Sequence, residues 1–230
     1  MLLLNTVVVL ALASAPPAKP AAQASCATTN IETALQHLET HLKATAAQPK
    51  VELSDEELAR LVESGEYAES VAEEFVGKTW KVRDVPNGFV STGDKNPDGT
   101  YEAALFKNPE GYHLVLVGEG ASVTHIEAFR CDKGGFKADA KAFRISNAQA
   151  IQLYADAGLI APKGKKGLQE KTLQDWAGSI LGFHLPRKGR SIRITAGVEE
   201  PASVYGKALG TVEYVDSKFV VRSLAKKPAR

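Results

Sequence analysis

The chain has 230 residues, 44% apolar and 24% charged, a balance that gives a packed core under a solvated surface and excludes wholesale disorder and collagen-like repeats. Lys and Arg number 28 against 27 Asp and Glu, so no overall field steers the chain onto nucleic acid or an acidic membrane. Two cysteines are too few for a disulfide-dense scaffold or a Cys-only zinc site.

Residues 2–13, LLLNTVVVLALA, are the only long apolar run. It falls well short of the roughly 20 residues that a membrane helix needs. Small residues and prolines follow up to Ala24, and Ala22-Gln23-Ala24 fits the small-x-small rule of a signal peptidase. Residues 1–24 therefore read as a signal peptide, and the protein is expected to be exported, periplasmic or secreted, with no membrane span after cleavage. Ala13-Ser14-Ala15 fits the same rule, but Pro16 after it would obstruct cleavage. The basic stretch that usually precedes the apolar run is missing, which keeps an uncleaved anchor as the alternative. A lipid anchor on Cys26 is disfavoured, since Gln23 stands where leucine is expected and the apolar run lies too far upstream. Cys26 is expected to pair instead with Cys131, because exported thiols meet an oxidising compartment.

Residues 25–50 read as an N-terminal helix and linker. Thr29 and Glu32 have capping-box spacing, and Ile31, Leu35, Leu38 and Leu42 form one stripe over 29–43. Ser54 with Glu57 signals the next helix start, and Tyr67, Ala68, Val71, Ala72, Phe75 and Val76 give a further apolar face before Gly77. From Thr79 the period changes from 3.6 to 2. Val85-Pro86-Asn87-Gly88, Asn96-Pro97-Asp98-Gly99 and Asn108-Pro109-Glu110-Gly111 share one turn grammar, with proline presetting φ and glycine taking a positive φ. Strands are predicted at 79–85, 89–95, 100–107, 112–118, 122–130 and 136–145, forming an antiparallel meander. Three-residue hairpins would pair Asn108 with Tyr112 and set Phe106 beside Leu114. Both faces of strands 100–118 are apolar in the middle, so both should be covered. Ser146 or Asn147 caps a helix closed by Gly158, and Thr172 with Asp175 opens another, with Leu173, Trp176, Ala177 and Ile180 inward and Gly182 as its stop. Strands are predicted at 190–196, 208–215 and 218–224, the last two joined by a tight turn at Asp216-Ser217, before a basic tail at 226–230.

The predicted class is α+β: an antiparallel β-meander of about six strands flanked by helices, with a C-terminal hairpin. One domain over 51–225 is expected, with a small separate β module at 187–225 as the alternative.

Chemistry-bearing constellations are sparse. His37 and His41 have helical metal-ligand spacing but flank the leucine stripe, and no third ligand is implied. Asp94 to Gly99 matches the first half of a calcium loop, with Glu102 at the ninth position, but Leu105 occupies the place of the bidentate glutamate. No metal or other cofactor is expected. His113 and His125 would share one sheet face if their strands are neighbours, with Lys107 opposite His113, giving acid–base or anion-binding capacity. No nucleophile elbow, P-loop, dinucleotide fingerprint or HExxH occurs.

Residues 51–77 carry nine acidic side chains and one arginine, while 161–230 carry fourteen basic and six acidic ones. This reads either as an anion- or envelope-binding face or as oppositely charged surfaces that attract across the fold. Gly77-Lys78-Thr79-Trp80 resembles the Gly-x-Trp opening of lipocalin-like barrels with one residue inserted. The likeness covers four residues and carries no family membership. It suggests a curved meander with Trp80 at its mouth holding an apolar ligand. Trp80, Lys107, His113 and His125 are accordingly the candidate ligand-binding residues. The function expected is an exported, non-catalytic protein that binds a small apolar ligand or an envelope or protein partner. A secreted hydrolase with carboxylate or His chemistry on the sheet, and a structural envelope component, are the alternatives.

Overall fold

A computed structural model describes residue 26, residues 30–46, residues 54, 56, 57 and 60, and residues 72–93, 99–119, 124–175 and 180–224. The segments read from the sequence as a signal peptide, a second helix after Ser54 (for the most part), a calcium half-loop at 94–98, a turn at 120–123 and a basic tail, together with Trp176 and Ala177, lie outside the described residues.

The class is α+β, with two antiparallel sheets. The first is a six-stranded meander of β1 (Val82–Asp84), β2 (Phe89–Ser91), β3 (Thr100–Asn108), β4 (Gly111–Glu119), β5 (Thr124–Asp132) and β6 (Gly135–Ala138), paired in chain order. The second is four-stranded, with β7 (Leu181–His184), β8 (Ser191–Ala196), β9 (Ala208–Val215) and β10 (Lys218–Ser223). Asp216 and Ser217 form the tight turn of the closing β9–β10 hairpin, both with positive φ. Strand β7 was not predicted. Gly182, expected to stop a helix, lies inside it, where a Cβ would meet the Thr195 side-chain hydroxyl at 2.5 Å while the Thr195 backbone carbonyl stays 3.7 Å away, so the Thr195 side chain crowds the position.

The first and third turns form where expected, the second lies outside the described residues, and the third is one residue shorter. Pro109 and Glu110 alone join β3 to β4, and Asn108 pairs with Gly111. Phe106 therefore stands opposite His113, and Leu105 opposite Leu114. Gly111 is required mainly by a close approach: a Cβ there would sit 2.0 Å from the carbonyl oxygen of Cys131 on β5. Gly88, by contrast, is left-handed at the end of the tight turn Val85–Asn87.

Two helical signals shift as well. Asn30, rather than Thr29, caps α1 (Ile31–Ala46), its side chain accepting from the amide of Thr33 at 2.7 Å. The cap of α2 (Asn147–Asp156) is Ser146, in a reciprocal capping box with Gln149. Helix α3 (Glu170–Asp175) starts before Thr172, which is thus inside the helix. Val76, expected on an apolar face, is exposed.

Alternation along β3, β4 and β5 gives the first sheet two buried faces. Ala103, Tyr112, Leu114, Leu116, Phe129 and Cys131 face α1 and the 3-10 turn Ala72–Phe75, packing with Ile31, Ala34, Leu38 and Phe75. Ala104, Phe106, Val115, Val117 and Ala128 belong to a second core. That core also takes Ile192 and Ile194 of β8, Val212 and Tyr214 of β9, and Leu153 and Tyr154 of α2. Both faces are covered, one by helix and one by a second sheet. The space inside the meander, suggested for a ligand, is filled by these side chains.

Cys26 and Cys131 form a disulfide with Cα atoms 5.4 Å apart, closing a separation of 105 residues. It ties the chain just before α1 to the helix-facing side of β5. No helix among the described residues is long and apolar enough to cross a membrane.

Candidate functional site

The four residues singled out from the sequence do not meet. Antiparallel pairing places Gly118 opposite His125 and Arg130 opposite His113. The two histidines therefore lie on opposite faces and at opposite ends of the β4–β5 pair, because the strands run in opposite directions. Lys107 pairs with Tyr112, so its exposed side chain is on the α1 side, away from His113. Trp80 lies before β1 and packs against the core under α1.

His113 instead joins partners from distant parts of the chain. It is 3% exposed, between the two sheets. Its Nε2 is 3.3 Å from Asp139 Oδ2, and its Nδ1 is 2.8 Å from the hydroxyl of Tyr214. With the imidazole proton on Nε2 and donated to Asp139, Nδ1 accepts the hydroxyl proton of Tyr214. Asn108 Nδ2 donates to the same hydroxyl oxygen at 3.0 Å. The hydrogen bond from His113 holds the Asp139 carboxyl below the usual carboxylate range. Burial pushes the Tyr214 phenol up. Arg190 completes the cluster: its guanidinium lies 4.9 Å from the Tyr214 ring centroid, and its Nη2 donates to the carbonyl of Lys107 at 2.7 Å. The chain Asp139–His113–Tyr214–Asn108 bolts β4, the end of β3 and the segment after β6 to β9.

Sequence reading found His113 but missed Asp139, Tyr214, Asn108 and Arg190. His113 and Tyr214 are 101 residues apart, and no spacing rule reaches that far. The available signal was Tyr214 itself, a tyrosine in phase with buried Val212 on a strand, whose hydroxyl must find a partner once buried.

The second place is a cleft of about 320 Å³ between α1 and the stretch from Phe75 to Arg83. Its apolar wall is Leu35, Phe75 and Trp80, the two rings 6.0 Å apart. Its charged lining is largely paired: Glu32 with Arg83, and Glu39 with Lys43. Lys78 also lines it, its ammonium 3.8 Å above the Tyr101 ring and with no carboxylate partner among the described residues. Tyr101 donates its hydroxyl proton to Glu74. The charge pairs balance each other, and Lys78 adds one cation beside the aromatic surface.

His37 and His41, the pair with metal-ligand spacing, turn partly under α1. The helix presents Ile31, Ala34 and Leu38 to the sheet, and the two histidines flank that line. His37 Nδ1 is 2.7 Å from the hydroxyl of fully buried Tyr112. The His41 ring packs edgewise against Phe129 and Phe136, 5.7 Å from each. No group of three or more His, Cys, Asp or Glu side chains suited to a metal occurs among the described residues. Glu102, considered for calcium, accepts from the amide of Leu185 at 2.9 Å.

Comparison with known proteins finds no matching family model, no matching curated protein and no matching solved structure.

Proposed function

We propose that the chain is an exported, non-catalytic binding protein, acting in the periplasm or outside the cell, which takes a small amphipathic ligand into the cleft beside α1. The observation that carries this reading is an aromatic wall, Trp80 and Phe75, beside paired charges and one cation, Lys78, that has no carboxylate partner among the described residues. The cleft, at about 320 Å³, is within the range of small-molecule sites. Apolar surface supplies the affinity for a tail, and Lys78 supplies the orientation of an anionic head. Export is supported by the apolar run at 2–13 and by the Cys26–Cys131 bond, which suits an oxidising compartment.

A medium-chain fatty acid, laurate, is the probe. Titration followed by tryptophan fluorescence and native mass spectrometry should show one-to-one binding. Trp80→Ala should abolish the fluorescence response, and Lys78→Gln should weaken binding by roughly tenfold, the scale of one charge-assisted contact. Absence of binding to the unaltered protein, or equal binding by both variants, would exclude this cleft.

The hydrolase reading has one observation in its favour, the Asp139–His113–Tyr214 chain, which places a hydroxyl beside a carboxylate-held imidazole. Against it stands burial. Tyr214 is 2% exposed and its ring is enclosed by Phe106 and Phe219, leaving a substrate no route to the hydroxyl.

A further inference from the structure

We propose that His37 and His41 form an acid-sensitive clasp holding α1 on the first sheet, so that their protonation releases the helix and dismantles the cleft it walls. The regulatory consequence rests on the binding reading above, while the clasp itself rests on contacts under the helix.

The two histidines are one helical turn apart and face the same aromatic floor. Tyr112 has no exposed surface, and among the described residues the hydrogen-bond partner of its hydroxyl is His37 Nδ1. While Nδ1 carries a lone pair, the Tyr112 O–H donates to it. Once Nδ1 is protonated it must donate instead, and the hydroxyl proton of Tyr112 is left buried without an acceptor. Among the described residues the His41 ring has no polar contact to offset a charge. Its ring abuts Phe129 and Phe136, which themselves stack at 5.4 Å.

Among the described residues no carboxylate forms an ion pair with either imidazole, and burial is the cause of the shift at each. The ionisable groups on the α1-facing sides of neighbouring elements are Tyr101 and Lys107 on β3, His125 and Glu127 on β5, and Glu73 and Glu74 in the 3-10 turn. Lys137 on β6 pairs with Arg130 and so lies on the opposite face. On α1 itself, Glu39 is engaged by Lys43 and Glu32 by Arg83. Neither histidine forms an ion pair among the described residues. Burial accordingly lowers the pKa of both below the ordinary 6.5.

The sign follows. The docked helix resists protons that the released helix accepts, so docking is strongest above pH 6.5 and weakens as pH falls below it toward the lowered values. One wall of the cleft, Glu32, Leu35 and Glu39, belongs to α1, so release removes it. The Cys26–Cys131 bond keeps the released helix attached beside its seat, making redocking a local event.

The test is hydrogen exchange on the mature, disulfide-bonded chain at pH 7.5 and 5.5, corrected for intrinsic rates. Protection of α1 amides should fall roughly 10- to 100-fold on acidification, as expected for one to two protons, while β3 and β4 stay protected. In a His37→Gln/His41→Leu variant, which keeps an acceptor for Tyr112 and fills the aromatic floor, α1 protection should be flat with pH. Flat protection in the unaltered protein, or unchanged pH dependence in the variant, overturns the clasp. NMR titration of the two imidazoles in the unaltered protein decides the matter even if the variant does not fold: values at or above 6.5 overturn it. Laurate binding at both pH values separates the two proposals. Loss of binding in parallel with α1 protection supports release. Binding retained at pH 5.5 with α1 open overturns the link to the cleft. No binding at pH 7.5 overturns the binding reading, and the exchange data then judge the clasp alone.

Discussion

Single atoms decide much of what this fold tolerates. At Gly111 a β-carbon would overlap a strand carbonyl at 2.0 Å, and neither strand can move without breaking the ladder of β4 and β5. Gly164, also at positive φ, has open space around it. Gly111→Ala should therefore lower unfolding stability by roughly 2–4 kcal/mol, the range for forced backbone shifts. Gly164→Ala should cost about 1 kcal/mol, the left-handed penalty alone. Denaturant midpoints of the two variants compare them directly. The network around His113 makes a second test. Tyr214→Phe leaves both the His113 and the Asn108 nitrogens without their shared partner, and should cost about 1–3 kcal/mol. Because the Asp139 pKa is depressed in the folded state, its contribution is present above the ordinary carboxylate value and is lost as pH falls through the lowered one. Asp139→Asn should flatten that acid limb in stability measured between pH 5 and 2.

Among the elements, α1 is the one whose attachment the sequence states least. Its first turn is fixed by the Asn30 cap, its line of Ile31, Ala34 and Leu38 by the sheet, and its leading segment by Cys26–Cys131. A loop of 105 residues gives a chain-entropy stabilisation of about 4–5 kcal/mol, so reduction should lower stability by up to that amount. Chemical denaturation with and without a reductant measures it, and a Cys26→Ala/Cys131→Ala variant should match the reduced protein. The meander itself was legible because proline, asparagine and glycine mark its first three turns within four residues each. Its register was not. The pairing of Asn108 with Gly111 rather than Tyr112 depends on loop length, and one residue reverses which side chains of β3 face those of β4. The result is a pairing of Phe106 with His113 that no local pattern distinguishes from Phe106 with Leu114.

For the whole molecule, the chain-level expectation is export. The mature protein should begin at Ser25 or within a few residues of it, read by N-terminal sequencing of the secreted form, and a full-length intracellular product would refute the signal. Apolar alternation, turn residues and capping pairs act over a few positions, so the sequence by itself determined the α+β class, the strands other than β7, a helix start at Ser146 or Asn147 and the closing hairpin. The pairing of its only two cysteines followed from their number and the expected compartment. Folding in three dimensions decided the rest. It chose the strand parity that sends His113 and His125 to opposite faces, and made a second sheet the cover for one side of the meander. It also brought Asp139, Tyr214 and Asn108 to one imidazole, and laid two helix-flanking histidines on a floor of Tyr112, Phe129 and Phe136. Each of these is a contact between segments tens of residues apart, set by burial and by the need of every buried polar atom for a partner, and neither condition can be evaluated until the layers are packed.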